Sequence, residues 1–140
     1  MNTVFISYSH SDQSYVNDIK SVRLNRNHRL GFNDQSLQEP IYNEEGHVNR
    51  KPPHDYASFP VREEISRLLR KSDKLLILLG DDTHSKLWVD WEIKEYKNMK
   101  INPDILVMRV PESFGGAPGV IQNQEIHEWD LDMVSKWVRI

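Results

Sequence analysis

The segment Lys74-Leu-Leu-Ile-Leu-Leu-Gly80 decides the fold, because an apolar run that ends at glycine is typical of a buried strand in a parallel sheet. The polar turn Asp81-Asp-Thr-His-Ser85 follows and offers residues that cap a helix. We predict that this helix covers the next segment, Lys86-Leu-Trp-Val-Asp-Trp-Glu-Ile93. Open α/β sheets bind their ligands at the carboxyl ends of the strands. We therefore expect a functional site where this helix begins.

Strands and helices alternate on both sides of this segment. Further strands are predicted at residues 3–8, 29–32, 104–110 and 124–129. Helices are predicted to start at Ser11 or Asp12, at Ser58 and at Asp130, each of which can cap a helix. This alternation predicts a single α/β domain with an open, mostly parallel sheet and helices on both faces.

The segment between the second strand and the second helix, residues 33–58, is rich in proline, glycine and charge. It is too long for an ordinary connection in a compact domain, so it is either functional or partly mobile. Arg50 and Lys51 would suit a pyrophosphate, although solvated loop charges are the commoner explanation.

Composition narrows the classes of function. The 140 residues carry a net charge of −3, which does not indicate nucleic acid as a partner. Cysteine is absent, so thiol catalysis, disulfides and cysteine-ligated zinc are excluded, and a reducing cytoplasmic location fits. We see neither a signal peptide nor a segment long and apolar enough to cross a membrane.

The helix after the central strand places a carboxylate beside an aromatic ring. At about 100° per residue, Val89, Ile93 and Tyr96 form its buried stripe, and Trp88 and Glu92 are neighbours on one flank. A carboxylate at this border is either partly desolvated, with a raised pKa that suits catalysis, or paired at the surface with a lysine. The lysines within reach are Lys86, Lys94 and Lys100.

Other constellations are weaker. The six histidines show no i,i+4 pair on a predicted helix, so a zinc site is not expected. Asp12 and Asp34 would fit the acidic pocket of a phospho-acceptor domain, but the central strand lacks an aspartate in the required setting. The loop at residues 115–119 has no following Lys-Ser or Lys-Thr and is not a phosphate loop. The remaining tryptophans are assigned to packing: Trp91, Trp129 and Trp137.

Two motifs in this sequence resemble TIR domains. One is Phe5-Ile-Ser-Tyr8 in the first strand, and the other is Ser85…Trp88-Val-x-x-Glu92-Ile in the helix after the central strand. The sequence is most similar to the TIR-like branch that includes the small subunit of Thoeris anti-phage systems, over residues 3–110. The resemblance implies a flavodoxin-like fold with a five-stranded parallel sheet.

The resemblance also implies an activity, because catalytic TIR domains cleave the bond between nicotinamide and ribose in NAD⁺. It makes Glu92 the catalytic residue and Trp88 its aromatic neighbour beside the substrate. Phe5, Ser7 and Tyr8 match the strand segment that lines the nucleotide cleft. The candidate substrate-binding set is completed by residues that follow predicted strands: His10, Asn33, Asp34 and Ser85.

In Thoeris systems the product would be an ADP-ribose-derived signal, cyclised or conjugated, that activates a separate effector after phage infection. No metal and no cofactor other than the substrate NAD⁺ is implied, and a homo-oligomer is expected on activation. The alternative is a TIR-type adapter that acts by self-association without catalysis. A carboxylate one helical turn from an aromatic ring at the cleft favours the enzyme.

Overall fold

The computed structural model describes residues 2–25, 27, 30–35 and 51–140. Within these residues it shows a parallel sheet with the strand order β2-β1-β3-β4-β5, which is the doubly wound, flavodoxin-like order. The open parallel sheet predicted from the sequence is therefore confirmed. Its strands are β1 (Thr3–Ser7), β2 (Asn33–Gln35), β3 (Lys74–Leu79), β4 (Ile105–Arg109) and β5 (Ile126–His127).

Helices cover both faces of the sheet. They are α1 (Gln13–Leu24), α2 (Phe59–Arg70), α3 (Leu87–Met99) and α4 (Leu131–Trp137). The apolar side chains of α1 and α4 share one core cluster, and those of α2 and α3 share the other. Crossover connections in a parallel sheet produce this three-layer arrangement.

The central strand β3 belongs to both layers. All six of its residues are buried, and side chains alternate between the two faces of a strand. Leu76 and Leu78 pack in the α1/α4 core, whereas Leu75, Ile77 and Leu79 pack in the α2/α3 core. Burial of each such side chain contributes roughly 1.5–3 kcal/mol, which explains why this segment dominates the sequence pattern.

The prediction of the second strand at residues 29–32 is wrong. Leu30 and Phe32 are buried in the α1/α4 core, but the strand begins at Asn33, which pairs with Thr3 of β1. The apolar residues thus mark the approach to β2, and pairing with β1 defines the polar strand itself. Arg29 lies outside the described residues.

The remaining strand predictions hold with shorter bounds. The predicted strand at residues 124–129 forms a ladder only over Ile126–His127, where it pairs with β4. The predicted strand at residues 104–110 appears as β4 and lacks one residue at each end.

The helix starts follow the predicted positions, but only one of them is capped as expected. Asp130 accepts hydrogen bonds from the backbone N–H groups of Asp132 and Met133 and caps α4. Asp12 occupies the position before α1 without a side-chain cap. The Ser58 hydroxyl donates to backbone carbonyls of the preceding segment instead of capping α2.

Both ends of the predicted long loop lie in regular elements of secondary structure. Its first residues form β2, and a 3-10 turn at Tyr56–Ser58 leads into α2. Residues 36–50, including Arg50, lie outside the described part of the chain. Among the described helices, none is long and apolar enough to cross a membrane.

Candidate active site

The first strand and the third helix meet at the carboxyl edge of the sheet. Ser7 is the last residue of β1, and its hydroxyl donates a hydrogen bond to Oε1 of Glu92 on α3 over 2.7 Å. The two residues are 85 positions apart in the chain. In this strand order, β1 and β3 flank the point where the direction of winding reverses, which is where doubly wound folds bind their ligands.

Glu92 is half-buried at this position, and its carboxyl group is the part that is desolvated. Burial raises the pKa of Glu92 from 4.5 to about 7, even though the hydrogen bond from Ser7 acts in the opposite direction. The protonated and ionised forms are therefore both populated near neutral pH. A carboxyl group with this pKa can accept or release a proton, or stabilise positive charge, at little cost.

The surface ion pair considered for Glu92 does not form. Each of the three lysines within reach has a different partner: Lys86 pairs with Asp82 at 3.4 Å, Lys94 pairs with Asp90 at 2.9 Å, and Lys100 donates to the carbonyl of Arg70 at 3.2 Å. Among the described residues, no cation forms an ion pair with Glu92.

Trp88 lies one helical turn before Glu92, as the sequence predicts. Its indole N–H donates to the backbone carbonyl of Lys51 over 3.1 Å. The ring also makes an edge-to-face contact with Trp91, with 5.6 Å between the ring centroids. Because the indole nitrogen already has this partner, the ring face is the part of Trp88 that is suited to a ligand.

A second buried carboxyl group lies at the same edge of the sheet. Asp12 is 7% exposed, and its Oδ2 has no hydrogen-bond partner among the residues described. Burial raises the pKa of Asp12, and the nearby charges of Asp82 and Asp81 raise it further. The carboxyl group fits because position 80 is glycine: a Cβ there would lie 2.2 Å from Oδ2.

Two loops are joined around Asp12. The Ser11 hydroxyl donates to Asp82 over 2.9 Å and lies 3.0 Å from the Ser9 hydroxyl. Burial opposes ionisation of Asp82, but hydrogen bonds from these serines and Lys86 outweigh it and lower the pKa of Asp82. The loop after β3 is thereby fixed to the loop after β1.

The other residues predicted for the site are distributed around this edge. Phe5 is 1% exposed and lies in the α2/α3 core. The Tyr8 hydroxyl donates to Gln13 over 2.8 Å. His10 is exposed at the start of a 3-10 turn, and the Ser85 hydroxyl donates to the carbonyl of Asp82.

Asn33 and Asp34 begin β2 and pair with Thr3 and Val4 of β1. They therefore lie at the amino end of this short strand. The side chain of Asn33 is exposed, and that of Asp34 lies outside the described structure.

Within the described ranges, no group of three or more histidine, aspartate and glutamate side chains is placed to hold a metal ion. The sequence interpretation did not predict the contact between Ser7 and Glu92. It also missed Arg109 at the end of β4, whose buried Nη1 has no hydrogen-bond partner within the described residues. An arginine one residue before the end of the predicted buried strand at 104–110 was the available signal.

Comparison with known protein families assigns the chain to a family. The model of the TIR-like domain of the Thoeris protein ThsB matches residues 5–113. The chain belongs to this family. The match includes the last three residues of β1 and all of α3, and therefore both Ser7 and Glu92. No curated protein matches the chain in sequence.

Solved structures agree with the TIR-like fold. The TIR domain of the Toll-related receptor TRR-2 from Hydra magnipapillata is 16% identical, with a TM-score of 0.58 over 99% of this chain and 94% of that one. A prokaryotic SEFIR domain is 15% identical, with a TM-score of 0.51 over the same fractions. At these identities the similarity shows the fold alone.

Proposed function

We propose that this TIR-like domain cleaves NAD⁺, releases nicotinamide and makes an ADP-ribose-derived signal that activates a separate effector in bacterial anti-phage immunity. The observation that carries the proposal is the environment of Glu92. This carboxyl group is desolvated at the carboxyl edge of the sheet, accepts a hydrogen bond from Ser7, has a pKa of about 7 and lies one turn from Trp88. A purely structural glutamate would be expected to pair with one of the lysines nearby.

The chemistry requires a group that responds to positive charge on the ribose. When the bond between nicotinamide and ribose breaks, its electron pair passes to the pyridinium nitrogen, and nicotinamide leaves as a neutral molecule. The ribose carbon acquires oxocarbenium character, which the Glu92 carboxylate stabilises electrostatically. Water or a nucleophile of the nucleotide then attacks this carbon, and its proton passes to a carboxylate with a pKa near neutrality.

The ring of Trp88 supplies the second part of the site. An aromatic face attracts the cationic nicotinamide ring before cleavage and holds it less strongly once it is neutral. The bond from the indole nitrogen to the Lys51 carbonyl fixes the orientation of the ring. This arrangement favours the charged substrate over the neutral product.

The outer part of the proposed substrate site consists of three polar side chains predicted from the sequence: Tyr8, His10 and Ser85. Asn33 and Asp34 are not part of it, because they pair with the first residues of β1 at the amino end of β2. Phe5 contributes differently, because a side chain that is 1% exposed supports the floor of the site through packing. The product is linear, cyclic or conjugated ADP-ribose, according to which nucleophile attacks.

The direct test is nicotinamide release from NAD⁺ at high protein concentration, with and without lysate from phage-infected cells. We expect Glu92→Gln to reduce release by at least about a hundredfold, since it removes the charge that stabilises the transition state. The matched control is Glu95→Gln on the same helix, whose carboxylate accepts a hydrogen bond from Ser66. Glu95→Gln should retain activity, and mass analysis of the product then identifies the signal.

Equal activity of wild type and Glu92→Gln would remove Glu92 from the mechanism. A folded wild-type protein that self-associates and releases no nicotinamide under any of these conditions would favour the adapter function.

The adapter function has one observation in its favour. Large apolar side chains are exposed where α2 and α3 begin and after β4, all at the carboxyl edge: Tyr56, Phe59, Leu87 and Phe114. TIR domains interact with one another, and exposed apolar surface of this kind suits contact with a second copy. Such contacts are compatible with both functions, because an oligomer can also complete an active site.

A further inference from the structure

We infer that Ser7 is a positioning residue that holds Glu92 in its reactive orientation and protonation state, and that Ser7 does not contact the substrate. This inference deepens the proposed function and rests on it for its catalytic consequence. It assigns to Ser7 a role different from lining of the nucleotide cleft.

The first observation that supports this role is the burial of Ser7. Its side chain is 1% exposed, so a ligand at the edge of the sheet has almost no surface of Ser7 to touch. A serine hydroxyl has a single proton to donate, and this proton is directed to Oε1 of Glu92 at 2.7 Å. The donor is therefore already used inside the protein.

The effect on Glu92 is the second step. A hydrogen bond donated to a carboxylate stabilises the ionised form, so Ser7 lowers the pKa of Glu92 while burial raises it. The pKa of about 7 is the balance of these two influences. Ser7 thus keeps a fraction of Glu92 ionised at neutral pH despite its burial.

The charged groups on the elements around Glu92 do not stabilise its ionised form as Ser7 does, because they have other partners. On α2, Arg67 pairs with Glu64, and Arg62 donates to the carbonyl of Asp55 over 2.9 Å. On α3 itself, Asp90 pairs with Lys94.

The remaining charges on neighbouring elements also have other partners or lie too far away. Glu95 of α3 accepts a hydrogen bond from Ser66 of α2. Lys74 of β3 lies at the opposite edge of the sheet, where it pairs with Asp104. Within the described structure, burial and the Ser7 hydroxyl are the causes that set the pKa of Glu92.

The experiment measures the pKa of Glu92 directly, by carbon-13 NMR titration of its side-chain carboxyl group. We expect Ser7→Ala to raise this pKa by about one, because the stabilising donor is lost. The control is Ser72→Ala. Ser72 is also 1% exposed, but its hydroxyl donates to the carbonyl of Leu68 near the opposite edge of the sheet, so the pKa of Glu92 should not change.

Ser7→Cys separates hydrogen bonding from packing. The thiol fills a similar volume but is a weak donor, so the pKa of Glu92 should lie between those of wild type and Ser7→Ala. This variant also provides the test if Ser7→Ala does not fold. A Glu92 pKa that is the same in wild type, Ser7→Ala and Ser7→Cys would overturn the inference.

Kinetics then give the catalytic readout. The acid limb of the pH profile of nicotinamide release should move to higher pH in Ser7→Ala, and kcat at neutral pH should fall about tenfold with KM unchanged. A rise in KM with kcat unchanged would show that Ser7 binds substrate and would contradict the inference. If wild type releases no nicotinamide but the NMR pKa still responds to Ser7→Ala, the proposed function fails and the positioning of Glu92 by Ser7 stands.

Discussion

The amino and carboxyl edges of the same parallel sheet differ in whether their charged groups have partners of opposite charge. At the amino edge, Lys74 is 3% exposed and forms an ion pair with Asp104, which also accepts a hydrogen bond from the indole N–H of Trp137. At the carboxyl edge, the carboxyl groups of the half-buried Glu92 and the buried Asp12 have raised pKa values and no cationic partner in the described structure.

This difference separates stability from function within one fold. A buried charge with a good partner costs little, whereas an unpaired one destabilises the folded state and persists where a function needs it. The amino edge is satisfied further by Asp73, which accepts a hydrogen bond from the backbone N–H of Thr3 and whose carbonyl accepts one from the Tyr96 hydroxyl. The amino edge therefore stabilises the fold through paired groups, and the carboxyl edge carries the proposed ligand site.

The largest effect is expected from breaking the pair at the amino edge. Asp104→Ala removes the carboxylate that pairs with the buried ammonium group of Lys74. It should lower the free energy of unfolding by about 3 kcal/mol, the low end for such a pair, because the Asp104 side chain is 44% exposed and Lys74 keeps the ring of Trp137 at 5.0 Å. Lys74→Met, measured alongside by urea denaturation, keeps the buried stem without the charge and should change stability by less than about 1.5 kcal/mol. Equal losses in the two variants would show that the loss comes from the missing ion pair itself and not from an unpaired charge left buried at Lys74.

A smaller effect of opposite sign is expected at the carboxyl edge. Asp12→Asn keeps the shape of the side chain and removes a buried charge that Asp81 and Asp82 repel. It should therefore raise the free energy of unfolding by about 1 kcal/mol at neutral pH. Because the pKa of Asp12 is raised in the folded state, the gain should appear as the pH rises and vanish in acid.

The matched change at the amino edge is Asp73→Asn. This carboxylate accepts a hydrogen bond from the backbone N–H of Thr3 over 2.8 Å, so its neutralisation should lower stability by about 0.5 kcal/mol. Thermal unfolding of the two asparagine variants across a pH series is the measurement. The same sign of change at both positions would contradict the comparison of the two edges.

Much of the fold follows from local sequence patterns. β3, α2 and α3 were predictable because a continuous apolar run and a repeat of 3.6 residues reflect burial directly. β2 was misplaced because its residues Asn33–Gln35 are polar, and only the pairing with β1 makes them a strand. A pattern of hydrophobicity cannot show a pairing that involves distant residues.

The same division applies to the site. The position of Trp88 and Glu92 on one flank of α3 follows from helical periodicity, so the sequence indicates them. The bond between Ser7 and Glu92 joins residues 85 positions apart and requires the packing of α3 on β1. Asp12 shows a second case in which a local pattern is not sufficient. It has the sequence signature of a helix cap, but its side chain is buried against Gly80 instead.

The desolvated carboxyl group of the half-buried Glu92 is held in place at a cost in stability. The folded-state pKa of about 7 lies above the ordinary value of 4.5, so the folded protein binds the Glu92 proton more tightly than the unfolded chain does. The contribution of this group to stability is therefore complete below the unfolded pKa and is lost as the pH rises through about 7. The variant Glu92→Gln resembles the protonated form, so it keeps this contribution to stability as the pH rises.

The most direct test is the difference in free energy of unfolding between Glu92→Gln and wild type as a function of pH, with Glu95→Gln as the control. We predict a difference close to zero at about pH 4 that grows to about 3 kcal/mol in favour of Glu92→Gln at about pH 8. Glu95→Gln should show no such rise. A difference for Glu92→Gln that does not change with pH would contradict the account, because it would mean that Glu92 ionises as freely in the folded protein as in the unfolded chain.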